Sequence, residues 1–354
     1  MLKICLSFDY ELFLGENDAS YEDILFSPTR DLQYMLNEEG VYGTFFADVC
    51  SAIVHSHYGL TDYSDSMLKQ IKSLTKDGHD IQLHIHPSWY KAEMKDERLV
   101  PSHLGYRLHE FDTFEDIIRE GVDYLNNNLQ EINKDYRCIA FRAGGFAVQP
   151  ERDIFKSLVT CGITIDSSIV PHMKNDLVNG FDFSNIPSLL NWWIDPELGL
   201  HHAAQSTIGC LYEVPVATLR PHLFKYFGLS RGQLSLPLSQ LKGKYVSNPK
   251  EQSRKLNRII QVYRRLFDYR YVSLDTRYYA RVVEDMDYIY KKYDLEQNDG
   301  YVCLICHPKL ADNYRVENIR SLIKELKKQP DRYEIVTMSD IHKMLSKRKL
   351  DKEL

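Results

Sequence analysis

Hydrophobic and polar positions alternate most cleanly in Gly78-His79-Asp80-Ile81-Gln82-Leu83-His84-Ile85-His86-Pro87. Ile81, Leu83 and Ile85 interleave with Gln82, His84 and His86, a period of two that predicts a strand. Successive strand side chains point to opposite faces, so His84 and His86 share a face, about 6–7 Å apart along the chain. Apolar and β-branched runs predict further strands at Lys3–Phe8, Tyr42–Ala47, Cys138–Phe141, Ile163–Ile165, Leu211–Val216, Tyr301–Cys306 and Tyr333–Val336. Between them Met67, Leu68, Ile71 and Leu74 recur at helical spacing, which predicts a helix over Ser64–Lys76. Ser27-Pro28 reads as an N-cap followed by proline, opening a helix that closes near Gly40. Thr113-Phe114-Glu115-Asp116 reads as a capping box, Pro150 starts another helix, Val316–Lys328 reads as one more, and a short one follows Ser339. Strand and helix in alternation predict a parallel sheet or barrel with helices outside.

Polar residues gather where these strands end: Asp9 and Glu11, His84 and His86, Arg142, Asp166, and His307. In parallel α/β folds the C-terminal edge of the strands is where sites are built. Two imidazoles side by side make half of a metal site, which needs at least one further protein ligand. The stretch from Trp89 to Phe111 is a longer connection than usual, and such loops tend to be functional.

Composition changes this picture little. With 354 residues the chain can bury a large core, and 44% hydrophobic with 27% charged residues is ordinary for a globular enzyme. The absence of an apolar run of about 18 residues predicts no spanning helix. The N-terminus reads directly as a strand, without the apolar region and cleavage site of a signal peptide. Seven scattered cysteines do not suggest a disulfide framework, and a cytoplasmic location is expected. Cys303 and Cys306 lie in an apolar strand-like run, where packing is the expected role.

Charge divides the chain. From Arg220 to Arg281 there are fourteen Lys and Arg against three acids (Glu251, Asp268 and Asp275), a surplus of eleven within a chain of formal net charge −6. Leu256, Ile259, Ile260, Tyr263 and Phe267 stripe one face of a helix expected there. The block reads either as a basic face solvated beside the acidic remainder or as a surface for an anionic membrane or phosphate-bearing glycolipid. The second reading makes the protein peripheral at the membrane. No nucleic-acid-binding module accompanies the charge, and no nucleic acid is expected.

Taken together, the strand ends resemble the polysaccharide deacetylase (NodB-homology) family of metal-dependent N-deacetylases. Ser7-Phe8-Asp9 resembles that family's first motif and Gly43-Thr44-Phe45-Phe46 its A-T-F-F strand. Gly78-His79-Asp80-Ile81 followed by His84 is similar to its metal-histidine strand. Phe141-Arg142-Ala143-Gly144-Gly145 is similar to its arginine motif, and Leu304-Ile305-Cys306-His307-Pro308 to its last motif. The usual pair of adjacent aspartates is replaced by Asp9-Tyr10-Glu11, and the usual second histidine position holds Ser88.

The resemblance implies a distorted (β/α)7-8 barrel over residues 1–217 and 282–348, a basic, partly helical insertion at 218–281 and a charged tail at 349–354. It implies one divalent ion, zinc being expected, held by Glu11, His84 and His86, with Glu11 and His86 standing in for the displaced ligands. Asp9 is expected as general base, Arg142 as its holder and His307 as general acid. Asp166 is expected to orient His307 or to lie near the metal, its other reading being a turn. Tyr10, Trp89, Gly144 and Gly145 are expected to meet the substrate. The implied activity is removal of N-acetyl groups from a sugar or glycoconjugate, such as a precursor of a cell-surface glycan. Two alternatives stay open: hydrolysis of another linear or cyclic amide on the same barrel, and a carbohydrate-binding protein that has lost its metal.

Overall fold

A computed structural model describes residues 1–15, 19–102, 105–176, 180–220, 268–276 and 278–353. The first strand, β1 (Leu2–Tyr10), is buried along all nine residues, as a parallel strand covered on both faces must be. Around it run β2 (Thr44–Asp48), β3 (Asp80–Ile85), β4 (Ala140–Ala143), β5 (Ile165–Asp166), β6 (Trp192–Ile194), β7 (Leu211–Glu213), β8 (Gly300–Cys306) and β9 (Tyr333–Ile335). Their order in the sheet is β6-β7-β5-β4-β3-β2-β1-β8, with β9 also beside β1.

This sheet closes. Past β7 the chain reaches β8 through a parallel bridge between Val216 and Cys303. Cys303 N donates to Pro215 O at 3.0 Å, and Ala217 N donates to Cys303 O at 2.9 Å. Strands β1, β2, β3, β4, β5, β7 and β8 therefore form a parallel ring, and β6 joins β7 antiparallel outside it. The very short β5 and β7 give the barrel its distortion.

Helices α1 (Ser27–Glu38), α2 (Val49–His57), α3 (Thr61–Lys76), α4 (Phe114–Leu129), α5 (Arg152–Thr160), α6 (Tyr279–Lys292), α7 (Asn313–Lys327) and α8 (Met338–Glu353) complete the α/β fold. Met67, Ile71 and Leu74 of α3 are buried, each contributing on the order of 2 kcal/mol. Two cap readings fail. Ser27 lies inside α1, preceded by a turn of π-helix at Glu22–Phe26, so it cannot cap it. Thr113 stands at the N-cap position of α4 but its side chain accepts no capping bond.

Helices α2 and α6 have no counterpart in the sequence reading. The first, Val49-Cys50-Ser51-Ala52-Ile53-Val54-His55, is buried all round and so lacks a polar stripe to set its period. The last helix, α8, is longer than the short element expected after Ser339. The long Trp89–Phe111 connection holds a hairpin, Glu93–Lys95 against Arg98–Val100, between two short 3-10 turns.

The expected helix at 256–267 lies outside the described residues, as does most of the basic block. The two described flanks of that segment return to the barrel. Thr218–Leu219 pairs antiparallel with Arg270–Tyr271, and Ser273 bridges Ile305 of β8. All seven cysteines are free, and Cys303 accepts a bond from Ser167 Oγ at 3.3 Å inside the barrel. Among the described residues, no helix is long and apolar enough to cross a membrane.

Candidate metal and catalytic centre

Strand alternation decides which residues meet. Along β1 the inward side carries Ser7, Asp9 and Glu11, while Phe8 and Tyr10 point to the helix layer. Tyr10 is fully buried there, its hydroxyl donating to Gln70 of α3 at 2.7 Å. It is therefore withdrawn from any substrate, contrary to the expectation from sequence.

The two histidines do share a face of β3, their rings 4.8 Å apart. Both turn Nε2 toward the same carboxylate oxygen, Glu11 Oε2, at 3.1 Å for His84 and in a shorter contact for His86. One ligating atom from each residue lies within 4.8 Å of the others, and all three residues are buried. His84 Nδ1 sits 2.8 Å from the carbonyl oxygen of Arg142. That carbonyl can only accept, so Nδ1 carries the hydrogen and Nε2 keeps its lone pair, the tautomer a metal ligand requires. One carboxylate and two imidazoles is a donor set that suits a divalent metal ion.

His86 is seated by two residues. Its backbone N–H donates to Asp48 Oδ1 at 3.2 Å, and Trp89 Nε1 donates to Asp48 Oδ2 at 2.8 Å. Trp89 is consequently buried, 5.3 Å from the ring of His55, and supports the site instead of stacking on a ligand. Gly144 is buried too, and a Cβ built there would lie 2.4 Å from His86 Nδ1. Its role is to leave room for that imidazole. Gly145 takes a left-handed φ of 57°, the conformation glycine adopts without strain.

Asp9 ends in a rigid partner. Arg142 Nη1 donates to Asp9 Oδ1 and, at 3.0 Å, to Ser7 Oγ. Its Nε and Nη2 both reach Ser167 at 3.0 Å, and its guanidinium lies 4.1 Å from the Phe46 ring. The arginine is fully buried. Losing one partner of such a pair costs on the order of 3–5 kcal/mol.

Across the mouth, His307 Nε2 lies 3.9 Å from Asp9 Oδ2 and 3.8 Å from Glu11 Oε1. The carboxylate that holds it is Asp275, not Asp166. Asp275 Oδ2 meets His307 Nδ1 at 2.9 Å, and Oδ1 accepts the His307 backbone N–H at 3.0 Å. Burial works to raise the Asp275 carboxyl and to lower the His307 imidazole. The bond and charge between them win, holding Asp275 below and His307 above its ordinary value.

Asp166 is not among the three grouped ligands. It is buried beside Glu213 in register and accepts from Ser168 Oγ at 2.6 Å. Burial raises both carboxyls.

Three residues escaped the sequence reading. Asp48 continues the inward alternation of Thr44 and Phe46 and marks the end of β2, a signal that was present. In the sequence Asp275 reads only as an acid within the basic block. Lys309, two residues past His307, donates to Glu11 Oε1 at 2.7 Å. Burial tends to raise the Glu11 carboxyl, but Lys309 and the two histidines keep it well below its usual range.

No protein-family model matches the sequence, and no curated protein is similar to it in sequence. The solved structures are informative. This chain has the polysaccharide-deacetylase fold, in divergent form. A protein from Mycobacterium smegmatis described as a polysaccharide deacetylase shares 17% identity over 98% of this chain and 91% of its own, with a TM-score of 0.50. A protein from Parabacteroides distasonis described as a glycoside hydrolase/deacetylase shares 10% identity over 98% of this chain and 71% of its own, with a TM-score of 0.51.

Proposed function

We propose that the chain is a divergent member of the polysaccharide deacetylase family, a metal-dependent hydrolase that removes N-acetyl groups from a sugar or glycoconjugate. The observation that carries this reading is the pairing of Asp9 Oδ2 with His307 Nε2 across a 3.9 Å gap, directly beside the gathered ligands. Amide hydrolysis needs a proton acceptor for the attacking water and a proton donor for the departing amine.

Glu11, His84 and His86 would hold one divalent ion, zinc by its ligand set, which would supply polarisation of the acetyl carbonyl and activation of water. Asp9 accepts the proton of the attacking water on Oδ2, because Arg142 occupies Oδ1 and fixes the orientation of the carboxylate. As the C–N bond breaks, His307 gives the proton on Nε2 to the nitrogen. Asp275 on Nδ1 keeps the ring turned toward that atom. The products are acetate and a free amine.

The test is acetate release by the purified chain with added zinc from N-acetylated oligosaccharides, compared with ring opening of cyclic amides. Acetate release abolished by a chelator and restored by zinc supports the proposal. Opening of cyclic amides without acetate release would instead favour the other hydrolase. A chain that takes up no zinc and turns over neither substrate would be a binding protein.

Gly144→Ala is expected to push the His86 imidazole off the shared oxygen. Zinc affinity should fall about 10–100-fold, as for lost support around a ligand, with a stability cost of roughly 1–3 kcal/mol for the overpacking. Zinc titration and thermal unfolding of the apo protein measure the two effects separately.

A further inference from the structure

The carboxylate of Glu11 is divided between two tasks. Oε2 faces the imidazoles of His84 and His86, while Oε1 accepts from the ammonium of Lys309 at 2.7 Å. Lys309 is tightly placed: Nζ also donates to the carbonyl of Leu12 at 3.0 Å and lies 5.1 Å from the centre of the Phe13 ring. Its side chain is only 10% exposed. A buried ammonium is costly unless it is paired, and its partner is the one carboxylate of the ligand group.

We propose that Lys309 is a positioning residue for the metal: it confines Glu11 to one ligating oxygen and cancels that ligand's charge. The inference rests on the metal reading above. Two consequences follow from elementary electrostatics. A positive charge on the far side of the carboxylate opposes a divalent ion and weakens its binding. An ion that receives less negative charge from its ligands is the stronger Lewis acid toward the substrate carbonyl. Lys309 therefore trades affinity for electrophilicity. A lysine that served only to brace the loop would act in the other direction, since its loss would disorder Glu11 and loosen the metal.

Lys309→Met keeps the length of the side chain and removes the charge. Zinc binding to the apo protein is measured by competition with a chromophoric chelator. Lys309→Met is expected to bind zinc about tenfold tighter than wild type or more, while kcat for acetate release falls about tenfold. Lys309→Arg keeps the charge and should retain both wild-type values. Lys309→Gln removes the charge but can still donate to Oε1, so it reports the same tightening if the methionine variant does not fold. Wild type that fails to bind zinc overturns the metal reading and this inference with it. Wild type that binds zinc, with neutral variants no tighter or looser, overturns this inference alone.

Discussion

Asp9→Asn is expected to reduce kcat by about a thousandfold, within the range of a lost general base, while zinc remains bound. The separation of the two readouts follows from the geometry. Glu11, His84 and His86 are the residues grouped closely enough to hold an ion, and Asp9 is not part of that group. An asparagine amide can still accept from Arg142 Nη1 through its oxygen, but the group it then turns to the mouth is an NH2, which cannot take a proton. The substitution also leaves the buried Arg142 without its counter-charge, and stability should drop by on the order of 3–5 kcal/mol. Activity is therefore compared at a temperature where circular dichroism shows the variant folded, with zinc content measured on the same sample. Retention of more than about a tenth of wild-type kcat under those conditions would remove Asp9 from the role of base.

The barrel and the gathering of Glu11, His84 and His86 were legible in the sequence for the same physical reason. Strand periodicity assigns faces without any knowledge of neighbours. Ile81, Leu83 and Ile85 against Gln82, His84 and His86 sufficed to put both imidazoles on one side. The same rule applied to β1 separates Asp9 and Glu11 from Tyr10. Its consequence for Tyr10, burial against Gln70, runs against the expectation that this tyrosine meets the substrate. Trp89 shows a different limit. It was expected to meet the substrate, but Asp48, an acid more than 40 residues earlier in the chain, captures the indole N–H. No local pattern encodes such a pairing. Lys309 and Asp275 share this property, since each is recognisable only once β8 is set beside β1 and Ser273.

Asp275 is the sharper case, because the sequence offered Asp166 as the partner of His307 and topology supplied another. A carboxylate at position 275 accepts from three donors: the His307 backbone N–H at Oδ1, and His307 Nδ1 and Ser273 Oγ at Oδ2. Asp275→Asn keeps the shape but retains one oxygen, so either the backbone N–H or Nδ1 of His307 must face an NH2 group. The imidazole then loses both its anchor and the charge that holds it protonated. Acetate release from an N-acetylated sugar is expected to fall about 100-fold, and by more in His307→Ala, with zinc affinity close to wild type in both. The nature of the leaving group supplies the decisive comparison. An aryl acetate expels a phenolate that departs without receiving a proton, so its hydrolysis should fall far less than that of the acetamide. If the two substrates are slowed equally, His307 and Asp275 contribute only to the architecture of the mouth. If the amide alone is slowed, the proton reaches the leaving amine from His307, along the line that Asp275 sets.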